Sequence, residues 1–243
     1  MTIRLPRLAS DPEAPFPPLA GALTEPNGLL AFGGDLHPVR LLNAYRHGIF
    51  PWYSAGEPIL WWSPDPRTVF DTHRFELPRR FRRELRRCDW QIRADAAFCE
   101  VVTACALTPR ASQHGTWITP EMQAAYVELH RLGHAHSIEV YERERLIGGL
   151  YGVAVAGVFC GESMFSTVSG GSKVALAALC RTLADWGVSL LDAQVANPHL
   201  SSLGATTLAR GDYVRHLAQP APVAAGPGSW MNRFPSLRVA DLA

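Results

Sequence analysis

The spacing of apolar residues divides the chain into three stretches of different character. In residues 1–70, short apolar runs are broken by Pro, Gly and aromatic clusters, as in PFPPL, EPNGLLAFGGDL and FPWYSAGEPILWWSPDP. Such punctuation predicts turns and a small irregular domain rather than a repeat. Its one helical segment is HPVRLLNAYRHG (37–48), with Asp35 as N-cap and Gly48 as stop. Further on, LPRRFRRELRRC (77–88) sets Phe81 and Leu85 four apart on a face that can meet a core, with most of its Arg opposite. DAAFCEVVTACALT reads as an apolar helix. Thr119 at the N-cap, Pro120 at the first helical position and Gly133 as stop bracket another.

From residue 136 the apolar period shortens to two. HSIEVYE alternates as a strand does, and residues 143–166 read as two more strands with a turn near Ala156-Gly157. SGGSKVALAALCRTLADWG (169–187) is a helix, VSLLDAQV (188–195) a strand, and LSSLGATTL a short helix or turn. The Ala/Pro/Gly-rich tail from Gln219 to Gly228 reads as extended. This order predicts an α+β fold with a mixed sheet flanked by helices. It is compatible with a GNAT-like acyltransferase, in which strands splay around a helix N-terminus. The expected division is a small N-terminal domain, 1–70, and a larger domain, 71–243, that includes the Arg-rich helix.

Composition narrows the classes. The 243 residues are 47% apolar, which excludes disorder and fits a globular chain. No run of 18 apolar residues predicts a membrane span. MTIRLPRLASDPEAP lacks the apolar stretch of a signal peptide, so a cytoplasmic protein is expected. Five Cys, an odd number without a CxxC, argue against a disulfide framework or a zinc site. The net charge of +1 hides an asymmetry. Between Arg74 and Arg87 seven Arg face two Glu, while Lys173 is the chain's single Lys. That window suits a polyanionic partner or a solvated helix face.

Strand parity singles out candidate chemistry. Asp192 and Gln194 fall on one face of VSLLDAQV, and burial of two polar groups there requires partners. They read either as a structural hydrogen-bonded pair or as a carboxylate orienting an amide. Glu162, between Cys160 and Met164 on its strand face, reads as a pocket acid or an internal salt bridge. Two carboxylates on neighbouring strands favour a cleft site. Ser169-Gly170-Gly171-Ser172-Lys173 opens a helix and could hold an anion, although it is not a Walker A loop. The aromatics of FPWYS and LWWS, with Trp117, read as core or as a pocket wall.

Together PNGLLAFGGDL, AYRHGIFPWYS, ILWWSPDPR, HGTWIT, GHAHSIEVYE, GGLYGVAVAGVFCGESMFS, LLDAQVANPHLSSLGA and RGDYV resemble the leucyl/phenylalanyl-tRNA–protein transferase family, over roughly residues 16–215. The resemblance implies transfer of Leu or Phe, with Met a further candidate, from aminoacyl-tRNA to the α-amino group of proteins beginning with Arg or Lys. That transfer marks the acceptor for N-degron proteolysis. No metal, CoA or other cofactor is implied, and a monomer suffices. By the same resemblance Asp192, Gln194 and Glu162 are the catalytic candidates. Asp192 would orient Gln194 and stabilise charge on the attacking amine, while Glu162 would meet the donor's α-ammonium or its 3′ adenosine. Trp52, Trp117, Leu150, Phe159, Ser163, Met164 and Leu191 would line the donor's side-chain pocket, with Leu179 and Leu183 closing it. Arg79, Arg80, Arg82, Arg83, Arg86, Arg87 and Lys173 would contact the acceptor stem of the tRNA. Two other readings remain at this level: a CoA-dependent acyltransferase using the SGGSK helix mouth, and a non-catalytic RNA-binding module. Binding to CoA would mark the first; an Asp192→Ala variant that keeps all function would mark the second.

Overall fold

The computed structural model describes residues 5–108, 116–220, 222 and 225–242. The first two residues of HGTWIT and part of the 219–228 tail lie outside them. The N-terminal stretch contains a four-stranded sheet made of β1 (Arg7–Leu8), β2 (Leu29–Gly33), β3 (Phe50–Pro51) and β4 (Leu60–Trp62), in the order β1-β2-β4-β3. Helix α1 (Pro38–Arg46) lies between β2 and β3. Its cap is His37, whose Nδ1 accepts from Val39 N, with Pro38 at the first helical position. The expected cap, Asp35, instead accepts from His37 N and pairs with the buried Arg40.

A seven-stranded sheet carries the rest. Its strands are β5 (Arg67–Asp71), β6 (Gln91–Ala94), β7 (Ala135–Glu142), β8 (Arg145–Val155), β9 (Val158–Ser166), β10 (Leu190–Gln194) and β11 (Thr206–Leu208), in the order β11-β5-β10-β9-β8-β7-β6. The β9–β10 pair is parallel and the others antiparallel, so the sheet is mixed. Strand β5 starts at Arg67, so the large sheet draws its second strand from the last residues of the expected small domain. Its helices are α2 (Arg79–Leu85), α3 (Phe98–Leu107), α4 (Pro120–Arg131), α5 (Gly171–Asp185), α6 (Pro198–Ser202) and α7 (Arg210–Leu217). The apolar run before α3 is shorter as a helix than expected: Asp95 adopts a left-handed φ of 56° after β6 and separates the two. The LSSLGATTL segment is likewise more than a turn, since its last residues form edge strand β11.

Alternation explains the layering. On β10 Leu190 belongs to the core that holds Tyr45, Tyr126 and Tyr213, while Leu191 belongs to the core that holds Leu150 and Leu179, on the opposite face. The first face is shared with the small sheet, α3 and α4; the second is covered by α5 and the C-terminal segment around Trp230. Helix α5 settles against β8 because Gly148 and Gly171 lack side chains. A Cβ on Gly148 would sit 2.6 Å from the Gly171 backbone.

Candidate functional site

The site forms where pairing stops. Strands β9 and β10 are in register only from Leu190–Val158 to Asp192–Cys160. Beyond that point they part, and both are irregular there. The β8–β9 register shifts next to Glu162, and the β10–β5 register shifts between Asp192 and Gln194. Gln194 has a left-handed φ of 57°. Bulges of this kind re-aim side chains, and both re-aimed residues are polar.

A cavity of about 570 Å³ opens in this gap. Trp52, Trp117, Leu150, Ser163, Met164, Leu179 and Leu191 line it, as expected. Phe159 does not. It is 1% exposed and its ring lies 5.5 Å from Trp230, deeper in the core below α5. Leu183 is likewise buried in that core, and Leu176, one turn earlier than Leu179, lines the cavity in its place. Trp52 is set by the small sheet: its carbonyl accepts from Trp62 Nε1 at 2.7 Å, with the rings 5.7 Å apart.

Glu162 and Gln194 meet at this cavity. Gln194 Nε2 donates to Glu162 Oε1 at 3.1 Å. Tyr45 from α1 donates to the same oxygen at 2.8 Å, and Tyr126 from α4 to Oε2 at 2.6 Å. The two hydroxyls are themselves 2.8 Å apart. Both hydroxyls donate to the carboxyl group, and these two bonds favour its ionised form. Burial outweighs them and pushes the Glu162 carboxyl up to about 7. A neutral carboxyl is thus available near physiological pH.

Asp192 is held differently. It is fully buried, and its carboxylate accepts from Arg67 Nε at 2.8 Å, Arg67 Nη2 at 2.7 Å, Tyr213 Oη at 2.9 Å and the backbone N of Gln194 at 2.9 Å. The expected link to Gln194 exists, but it runs through the backbone. The expected charge stabilisation of an attacking amine does not fit this geometry, because Arg67 already neutralises the carboxylate. Reasoning from sequence missed Arg67, Tyr45, Tyr126 and Tyr213. The available signals were an Arg inside the apolar strand RTVFD and a Tyr in each of AYRHG, EMQAAYVEL and RGDYV.

The Arg cluster lies on and just beyond α2. Arg79, Arg83, Arg86 and Arg87 are exposed and form no ion pair among the described residues. Arg80 pairs with Glu84 at 3.3 Å, and the half-buried Arg82 lies 3.8 Å from Glu76. Lys173 sits nearby, its Nζ 5.7 Å from the Phe81 ring. The helix mouth below it is not an open anion cradle: Ser172 N donates to Ser166 Oγ at 2.8 Å and Gly171 N to Val168 O at 3.0 Å. Asp95, His130 and His136 also cluster within 4.8 Å. There Asp95 accepts from Ser137 N at 3.1 Å and Trp230 N at 2.7 Å, and His136 Nδ1 lies 3.0 Å from it. His130 Nδ1 is 2.8 Å from the Ala135 carbonyl. Backbone partners occupy this cluster, which ties the C-terminal segment to β7.

An apolar cavity ended by a carboxyl and an amide, on a mixed α+β sheet, has the form of a binding site for a small apolar group that carries polar atoms. The Leucyl/phenylalanyl-tRNA protein transferase family model matches residues 69–218, and the model of that family's N-terminal domain matches residues 34–65. The chain belongs to the leucyl/phenylalanyl-tRNA–protein transferase family. Relatives bearing that name are 58% identical in Xanthomonas campestris pv. campestris (strain 8004), over 97% of this chain and 95% of theirs. In Xanthomonas oryzae pv. oryzae (strain MAFF 311018) the identity is 60%, over 97% and 94%. In Xylella fastidiosa (strain M23) it is 53%, over 93% of both chains.

Proposed function

We propose that this chain transfers Leu or Phe, with Met a further candidate donor, from aminoacyl-tRNA to the α-amino group of proteins beginning with Arg or Lys, marking them for N-degron proteolysis. The observation that carries this reading is the apolar cavity with Gln194 and Glu162 at its polar end. The cavity takes the donor side chain, and the polar end lies near the ester carbonyl. The amine nitrogen bonds to that carbonyl carbon, and the bond to the 3′ ribose oxygen breaks. One proton leaves the nitrogen, and the ribose oxygen gains one. An aminoacyl ester is already activated, so alignment and charge stabilisation are the main demands on the protein. The Gln194 amide supplies a hydrogen bond at the reacting centre. Glu162, whose carboxyl burial pushes up to about 7, meets the donor's α-amino group or its 3′ adenosine.

Arg79, Arg83, Arg86 and Arg87 supply phosphate contacts to the acceptor stem, with Lys173 adding a charge beside them. Such contacts position the tRNA without reading its sequence. The enzyme acts as a cytoplasmic monomer in this reading. No helix among the described residues is long and apolar enough to cross a membrane.

The test is transfer of labelled Leu from charged tRNA onto peptides beginning with Arg, Lys or Ala. Label on the Arg and Lys peptides alone is the expected result. Label on all three, or on none, would overturn the acceptor assignment or the activity respectively.

A further inference from the structure

We propose that Arg67 is a positioning residue for the transfer reaction: acting through the Asp192 carboxylate, it fixes the backbone bulge that aims the Gln194 amide at Glu162. The proposal rests on the aminoacyl transfer described above and concerns how its reacting centre is held.

Asp192 has no acceptor site left for a substrate. A carboxylate offers about four lone-pair positions. Arg67 takes two of them through Nε and Nη2, Tyr213 a third, and the Gln194 backbone N–H the fourth. The side chains of Arg67 and Asp192 are 1% and 0% exposed. A planar guanidinium against a carboxylate in this fork arrangement is fixed in orientation as well as distance. Arg67 is itself fixed from outside the pair. Its Nη1 donates to the Gly48 carbonyl at 3.0 Å, and its guanidinium carbon lies 4.8 Å from the Phe50 ring centroid and 4.6 Å from that of Tyr213.

The consequence falls on Gln194. A residue other than Gly or Asn seldom adopts a φ of 57°, and it persists only where neighbours hold it. The bond from Gln194 N to Asp192 Oδ1 spans two residues and closes that turn. The turned backbone sends the side-chain amide to Glu162 Oε1 rather than along the strand face. The chain of causes therefore runs from Arg67 to Asp192, to the Gln194 backbone, and then to its amide. In this arrangement Asp192 is a scaffold and takes no proton from the amine.

The test uses Arg67→Met and Asp192→Asn, singly and together, in the full chain. kcat and KM are measured for charged tRNA and for a peptide beginning with Arg, with thermal unfolding of each variant. Each single variant leaves a buried unpaired charge or an unpaired polar group, and kcat is expected to fall about 100-fold or more, with both KM values within about threefold. The double variant removes both charges, and Asn still offers Oδ1 to Gln194 N. Its kcat should recover to within about tenfold of the parent. An Arg67→Met variant that folds and keeps the parent kcat would overturn the proposal. Tyr213→Phe covers the case in which those variants do not fold. It removes one bond to Asp192 without changing charge, and should lower kcat several-fold with KM and the shape of the pH–rate profile unchanged. A KM that rises along with the fall in kcat would likewise overturn the proposal. Parent enzyme that transfers no label would instead refute the transfer activity.

Discussion

Glu162 permits a quantitative test of the site's electrostatics. In an unfolded chain its carboxyl ionises near 4.5, whereas in the folded site burial holds the proton until about 7. Below pH 4.5 both states are protonated and the group contributes no penalty. Between the two values the unfolded chain releases its proton while the folded chain keeps it, so stability falls as pH rises. Above pH 7 the full penalty applies. The displacement corresponds to roughly 3 kcal/mol at most, and to roughly 2 kcal/mol once the half-buried state of the residue is allowed for.

Glu162→Gln preserves shape and the acceptor for Tyr45 but cannot ionise. Its stability relative to the parent should therefore rise by about 2 kcal/mol between pH 5 and pH 8. For a chain of this size that is a relative shift in Tm on the order of 5 °C or more. Thermal or urea unfolding of both proteins at pH 5, 6, 7 and 8 measures it. Glu139, a second buried carboxyl pushed up to about 7, is present in both proteins and drops out of the difference. A stability difference that stays the same from pH 5 to pH 8 would refute a burial-raised carboxyl at Glu162.

Three further outcomes follow from the same geometry. Replacing Arg79, Arg83, Arg86 and Arg87 together by Ala should flatten the dependence of tRNA binding on salt, with roughly 0.7–0.9 of log–log slope lost for each phosphate contact removed; filter binding across salt concentrations checks it, and an unchanged slope refutes the contact. Met164→Ala enlarges the apolar cavity and should favour Phe over Leu as donor by about tenfold in kcat/KM, measured with the two charged tRNAs in competition. Asp95→Ala removes the acceptor shared by His136, Ser137 N and Trp230 N, and should destabilise the fold by roughly 2–4 kcal/mol while leaving turnover per folded molecule unchanged, as read by unfolding curves alongside transfer rates.

Local signals were legible and long-range ones were not. Thr119 caps α4, accepting from Met122 N at 3.3 Å, because capping depends on neighbours within one turn. The β8–β9 turn at Ala156-Gly157 and the span of α5 follow from period and punctuation in the same way. Strands β5, β6 and β11 are short and carry Arg or Thr, and only pairing with distant strands makes them strands. The segment that supplies Ser163 and Met164 also predicts Phe159 in the pocket, yet the shift at Glu162 separates their environments. Parity places Asp192 and Gln194 on one face, but it does not show the left-handed residue at 194 that breaks the alternation there. The tyrosines and Arg67 arrive from far along the chain, with Tyr45 lying 117 residues from Glu162 and Arg67 125 from Asp192. No spacing rule reaches that far.

These distances also change what the N-terminal stretch does. Its cavity wall, Trp52, is one contribution, but two others reach the polar end directly. Tyr45, in the last turn of α1, donates to Glu162, and three residues later the Gly48 carbonyl accepts from Arg67. Gly48 itself adopts a φ of 74°, and a Cβ there would lie 3.1 Å from the Tyr213 ring. The C-terminal end of α1 thus touches both halves of the centre: the carboxyl that receives the Gln194 amide and the cation that fixes the Gln194 backbone. A displacement of α1 by about an ångström would disturb both halves at once, whereas a change confined to α5 would reach only the apolar wall. Placement of the donor side chain and placement of the reacting amide are therefore governed by different elements. Variants at the end of α1 should lower kcat, and variants along the cavity face of α5 should alter donor preference.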